Sequence, residues 1–73
     1  MIYELWHTPS ANAMSEHPTL AAALGAVREV FETQGERSVG EISLLELDRR
    51  GRTRLIAEGA QLLPLIEAHA QRR

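Results

Sequence analysis

The chain opens with apolar and polar residues in the two-residue alternation of a β-strand, from Ile2 to His7. This period places Tyr3 and Trp6 on opposite faces of the strand. A cluster of turn-forming residues follows at Thr8 to Asn12, and Ala13 to Ser15 can form a short returning strand. The pattern therefore predicts a first β-hairpin.

The spacing then becomes that of an amphipathic helix, which is predicted over about residues 20–33. Apolar side chains recur there every three or four residues, as they do along one face of a helix. Thr19 is a suitable N-cap, because its hydroxyl can accept a hydrogen bond from a free amide of the first turn. Gly35 can adopt the left-handed conformation that ends a helix.

A second segment with helical spacing lies near the C-terminus. Leucine, isoleucine and alanine residues recur there, and they predict a helix over about residues 60–71. Pro64 suits the start of a helix, whereas in an interior position it removes a hydrogen bond. The helix therefore either starts near Leu63, or starts at Ala60 and kinks.

Residues 41–58 predict a second hairpin with a tight turn, Arg49-Arg50-Gly51, between its strands. Gly51 in the left-handed conformation closes a three-residue loop with a bulge. The register then pairs Asp48 with Arg52 and continues outward from the tip, residue by residue. This hairpin is the most informative feature of the chain, because both of its faces carry apolar side chains.

The core side of the second hairpin is predicted to be the face with the larger apolar set. That face carries Leu45, Leu47, Thr53, Leu55 and Ala57. The opposite face holds the cross-strand pair Leu44 and Ile56 near the base, and the charge pair Glu46–Arg54 nearer the tip. Such charge pairs favour one register more than they add stability.

Together these elements predict an α+β fold with one domain, residues 1–73. It is a two-layer sandwich in which an antiparallel sheet of two hairpins packs against helices, in the order ββαββα. A chain of this size buries only about 60% of its unfolded surface, and oligomerisation often supplies the missing stability. The sequence contains no cysteine, which excludes disulfides and thiolate metal sites.

A sheet with two apolar faces needs two covers, and this requirement gives the first candidate site. Trp6, Leu44 and Ile56 are predicted to share an outer apolar patch, and patches of this kind mark partner sites. Alternatively, a helix or loop covers Trp6. The C-terminal helix either covers the sheet face that holds Leu44 and Ile56, or packs beside the first helix. We therefore predict a non-enzymatic interaction module that forms a homodimer, or binds another protein, through this sheet face or the C-terminal helix.

The second candidate site is the tip of the second hairpin. All eight basic residues of the chain are arginine, and four of them lie at this tip: Arg49, Arg50, Arg52 and Arg54. They can contact phosphates or an acidic partner, and a two-stranded ribbon fits the DNA major groove. A nucleic-acid-binding regulator or antitoxin-like protein is thus the alternative function. Two observations weigh against this alternative. Asp48 and Glu46 partly neutralise the charge of the tip. The abundance of arginine and alanine is also typical of high-GC bacterial genomes, so it does not require a binding role.

No catalytic, cofactor or metal signature is found. His7, His17 and His69 lack partners at metal-ligand spacing, and the serines lack the glycine-flanked context of a nucleophile. We therefore predict no enzymatic activity.

Net charge is −2 and no apolar run approaches the ~20 residues that span a bilayer. With no signal-peptide pattern at the start of the sequence, the expected location is the cytoplasm.

Several segments resemble a group of short uncharacterised proteins of high-GC bacteria. They are Tyr3-Glu4-Leu5-Trp6, the Ser10-Ala11-Asn12 turn, the alanine-rich helix, and Leu55-Ile56-Ala57-Glu58-Gly59. The resemblance covers most of the chain and implies a bacterial source but no activity; these proteins usually have Gly where this chain has Ala11. The strand–strand–helix order is also similar to the N-terminal domain of HicB-type antitoxins, whose Gly/Pro-rich core motif this chain lacks.

Overall fold

The structure, a computed structural model, describes residues 1–71. Its strands and α-helices are, in chain order, β1 (Ile2–His7), β2 (Asn12–His17), α1 (Leu20–Gln34), α2 (Glu36–Val39), β3 (Ile42–Leu47), β4 (Thr53–Glu58) and α3 (Leu62–Gln71). Single turns of 3-10 helix precede β2 and α3. The predicted α+β class and ββαββα order are confirmed, with the short α2 as an addition.

The four strands form one antiparallel sheet in the order β2-β1-β3-β4. The two hairpins are therefore joined along β1 and β3, where Leu5 pairs with Leu44. Both edge strands contain an irregularity: the pairing skips Met14 in β2 and Ile56 in β4. A residue left out of the ladder in this way is a β-bulge, which bends the strand and increases its twist.

All three helices lie on one face of the sheet and bury it. The core consists of Leu5, Ala23, Leu24, Val27, Val39, Ile42, Leu44, Ala57, Leu62 and Ile66. The Cα atoms extend over 33 × 31 × 16 Å, and the short dimension has room for one helix layer and one sheet layer. The molecule is thus the predicted two-layer sandwich, with a single core between its layers.

The faces of β3 are the reverse of those predicted, and so is the position of Leu55, whereas Ala57 lies in the core as expected. Leu44, expected on the outer side, is fully buried beneath the helices. Leu45 and Leu47, expected in the core, lie on the opposite face, and Leu55 there is 50% exposed. Both faces of β3 are apolar, so alternation by itself does not identify the buried one.

The register of this hairpin follows the prediction only as far as the bulge. The pairs from Asp48–Arg52 out to Leu45–Leu55 are as expected. Beyond them the bulge shifts the partner of Leu44 from Ile56 to Ala57. Because of this shift, Ala57 points into the core.

Local capping explains where the helices begin. The amide of Ala22 donates to Thr19 Oγ1 (3.1 Å), and α1 ends at Gly35, whose φ is +90°. The helix α3 begins at Leu62, so Pro64 lies in its first turn, where no intrahelical amide is required. Of the two predicted alternatives, a start near Leu63 therefore describes α3 better than an earlier start with a kink. Among residues 1–71, no helix is both long and apolar enough to span a bilayer.

Candidate functional site

The sheet face opposite the helices, here called the outer face, carries large apolar side chains. They are Ile2, Trp6, Leu45, Leu47 and Leu55. None of them belongs to the core cluster or packs against it. The helix α3 leaves this face uncovered, because it packs beside α1 on the other side of the sheet.

Cross-strand pairing places these side chains next to one another. Ile2 pairs with Leu47 in one row, and Leu45 pairs with Leu55 in the next. Trp6 lies one row further along β1, and a shallow, mainly apolar depression extends between it and Leu55. The outer face thus carries apolar side chains on β1, β3 and β4, with Glu4 of β1 lying between Ile2 and Trp6.

The polar groups around this depression already have partners. Trp6 Nε1 donates to Glu4 Oε1 (3.4 Å), and the hydroxyls of Thr8 and Ser43 share a hydrogen bond of 2.6 Å. Ser43 is only 8% exposed, and no buried side-chain polar atom in the described part of the chain lacks a partner. The buried polar groups of this depression are therefore satisfied within the chain, and its remaining surface is mainly apolar.

The structure does not bring the predicted interface residues together. Trp6 is on the outer face, as expected. Leu44 is fully buried on the opposite face, and Ile56 packs against the core from the bulge. The residues that accompany Trp6 are Leu45 and Leu55, which sequence reasoning had assigned to the core. Once Trp6 is placed on the outer face, the pairing of β1 with β3 identifies Leu45 as its neighbour there, but this pairing joins strands far apart in sequence.

Carboxylates lie on the β1–β2 side of the outer face. Glu4 of β1 is the direct cross-strand partner of Glu16 of β2. Like charges in that position are unfavourable. Within residues 1–71, neither carboxylate forms an ion pair. This part of the outer face therefore has an uncompensated negative charge.

The hairpin tip is ordered by Asp48. Its Oδ1 accepts hydrogen bonds from the amides of Arg50 (2.8 Å) and Arg52 (3.0 Å), and its Oδ2 accepts one from Arg52 Nε (3.0 Å). The hydrogen bond from the Arg52 amide, followed by the others, holds the pKa of Asp48 below its usual value. Gly51 has a φ of +80°, so the predicted loop with its left-handed glycine is confirmed.

The four arginines of the tip fall into two pairs with different surroundings. Arg52 is held by Asp48, and Arg54 contacts Glu46 at 3.1 Å. The Tyr3 hydroxyl also donates to Glu46 (3.3 Å); desolvation first, and the Glu46 charge second, raise the pKa of Tyr3. Arg49 and Arg50 are exposed and form no ion pair with any described residue. Positive charge at the tip is thus free on two side chains rather than four.

Two histidines each hydrogen-bond a serine, His7 with Ser10 (2.7 Å) and His17 with Ser15 (2.8 Å). The other ring nitrogen of His7 lies 4.0 Å from Glu41 Oε1, which is beyond hydrogen-bond distance. Residues 1–71 contain no group of three or more side chains placed to hold a metal ion. Comparison with protein-family models, curated proteins and solved structures finds no match to this chain. We therefore infer function from the surface itself.

Proposed function

We propose that this protein is a small non-enzymatic interaction module that forms a homodimer through its outer face. The supporting observation is the row of large apolar side chains that neither layer of the fold covers. Fully burying one such side chain contributes about 1.5–3 kcal/mol. A second copy is a suitable cover, because an isologous contact buries the same surface on both chains at once.

The sheet geometry favours association through the face rather than through the edges. Each edge strand contains a bulge, at Met14 in β2 and at Ile56 in β4. Bulges and charged side chains on edge strands are devices that block strand addition, and β4 also carries Arg54. Two sheets can instead pack face to face about 10 Å apart, with their side chains interdigitating.

The test is the solution mass, measured by light scattering at two concentrations that differ a hundredfold. We expect twice the chain mass of 8.1 kDa at the higher concentration. Leu55→Glu should give the monomer mass at both concentrations, because it places a carboxylate in the apolar surface. Leu20→Glu is the matched control, since Leu20 is a similarly exposed leucine on the helix side (38% against 50%). A monomeric wild-type protein, or equal effects of the two substitutions, would contradict the proposal.

Nucleic-acid binding through the tip has weaker support. Acidic partners hold Arg52 and Arg54, so Arg49 and Arg50 are the arginines free to contact phosphates. Two phosphate contacts give a log–log salt dependence with a slope of only about −2, which corresponds to weak binding at physiological salt. We therefore propose self-association as the function. Arg49 and Arg50 then lie at the edge of the contact surface rather than forming a nucleic-acid site.

A further inference from the structure

We propose that the two copies are related by a two-fold axis parallel to the strands. Resting on the proposed self-association, this inference adds an orientation: the β1–β2 half of each outer face lies against the β3–β4 half of the other. Its basis is the unequal distribution of charge between the two halves of the sheet.

The β1–β2 half carries the negative charge. Glu4 and Glu16 are direct cross-strand partners, and no described residue neutralises either of them. Both are on the outer face, as the strand alternation and their shared register with Leu45 require. A partner surface that supplies positive charge here removes an existing repulsion as well as adding an attraction.

The β3–β4 half carries positive charge at its tip, unpaired within residues 1–71, whereas its opposite end carries the carboxylate Glu58, the cross-strand partner of Ser43. The turn begins at Asp48, immediately after β3, whose last residue Leu47 pairs with Ile2 at the start of β1. The tip therefore projects beyond the end of β1. Arg49 and Arg50 are exposed on this projection without an ion pair among the described residues.

A two-fold axis parallel to the strands makes these halves complementary. It places the strand order β2-β1-β3-β4 of one copy over β4-β3-β1-β2 of the other, so each acidic half faces the half that carries the arginine tip. The turn starts three residues beyond Leu45, the partner of Glu4, which is about 10 Å along the strand. Packed sheet faces are also about 10 Å apart, so the arginine and glutamate charges attract within the Debye length of about 30 Å at 0.01 M salt, without a direct ion pair.

The alternative two-fold axis also lies between the two sheets, but it runs perpendicular to the strands. It lacks this charge complementarity. It places β1 and β2 of one copy over β1 and β2 of the other. Glu4 and Glu16 of both copies would then share one buried surface, and both arginine tips would lie away from it. Like charges brought together across an interface oppose association.

Charge reversal tests the orientation. The variants are Glu16→Arg, Arg50→Glu and the chain with both; Glu4 is left unchanged because it accepts the hydrogen bond from Trp6. Each single reversal acts at two symmetric contacts and should weaken dimerisation about tenfold. The double variant should recover wild-type affinity to within about threefold, because the exchanged charges meet again. Sedimentation equilibrium at low salt, where surface charges are least screened, measures the dissociation constants.

Mixing the two single variants gives an independent readout. In a mixed dimer, Arg at position 16 of one copy faces Glu at position 50 of the other, while native Glu16 and Arg50 meet at the second contact. The mixture should therefore associate more tightly than either variant by itself. Controls with the same charge changes on the helix side are Glu29→Arg and Arg37→Glu, neither of which belongs to an ion pair in the described chain.

The outcomes separate this inference from the proposed function. If wild type dimerises and Leu55→Glu dissociates it, but the double reversal and the mixture show no recovery, the orientation is wrong and self-association stands. If the control reversals weaken the dimer as much as the test reversals, net charge rather than position decides affinity, and the orientation is again wrong. A wild-type chain that stays monomeric overturns both.

Discussion

Replacing Leu44 and Leu45 separately by alanine tests which face of the sheet is the core. The two leucines are neighbours in β3, but Leu44 is fully buried against the helices and Leu45 is partly exposed on the outer face. Identical chemistry is thus removed at adjacent positions of one strand. Any difference in the free energy of unfolding reports the environment rather than the residue type.

The expected cost at Leu44 follows from its burial. Leu→Ala removes three carbon groups worth about 0.8 kcal/mol each in transfer free energy, and the residual cavity raises the total to about 3–4 kcal/mol. A domain of this length has a total stability of roughly 4–11 kcal/mol, so the variant loses a large part of it. Such a loss lowers the melting temperature by about 12–32 °C. Leu45→Ala should cost under about 1.5 kcal/mol in the monomer, because part of its side chain already contacts water.

Urea unfolding followed by the fluorescence of Trp6, the only tryptophan, measures both values. The experiment is run at a concentration where the chain is monomeric and again where it is dimeric, because association with a second copy stabilises the folded state by mass action. The cost of Leu45→Ala should rise with concentration, whereas the cost of Leu44→Ala should not. Equal costs for the two variants in the monomer would refute the assignment of the faces.

Two further predictions concern local conformation and pH. Gly25→Ala should stabilise the protein by about 1 kcal/mol, because an added Cβ has no atom within 4 Å and alanine is the better helix former. Gly51→Ala should destabilise it by about 1–2 kcal/mol, because a φ of +80° is unfavourable for alanine; thermal unfolding that gave both changes the same sign would contradict this reasoning. The pKa of the Asp48 carboxyl, measured by NMR, should lie below the usual value for aspartate. Since its folded pKa is the lowered one, its stabilisation is complete above the unfolded pKa and disappears as pH falls through the folded value, so Asp48→Asn should destabilise the protein more at pH 7 than in acid.

Features set by a few neighbouring residues could be predicted from the sequence. Thr19 and Gly35 bound α1 because a cap needs only a hydroxyl, or a residue that tolerates a positive φ, at one position. The same holds for the tip, where Gly51 and Asp48 determine the loop and the first pairs of the register. The alternation of β1 predicted the strand and placed Tyr3 and Trp6 on opposite faces, as observed.

Features decided by distant contacts could not be predicted in this way. The bulge at Ile56 changes which residue of β4 faces the helices, and nothing in the local sequence marks it. The four-residue α2 is too short to form by itself, and it depends on the full burial of Val39 in the core. The candidate interface was wrong at Leu44 for a related reason: β3 is apolar on both faces, and the helices select one of them only in the assembled fold.

The central position of β1 and β3 in the sheet has a consequence for how the chain reaches its native state. Each hairpin pairs strands that are close in sequence, and such pairs form within about 1–10 μs. Pairing β1 with β3 instead joins Ile2 to Leu47 across the first hairpin and α1, and the entropy lost on closing so long a loop must be overcome before the core contacts repay it. During synthesis, β1 therefore lacks one of its two partner strands until β3 has been made. Leu5 in particular stays without its cross-strand partner Leu44.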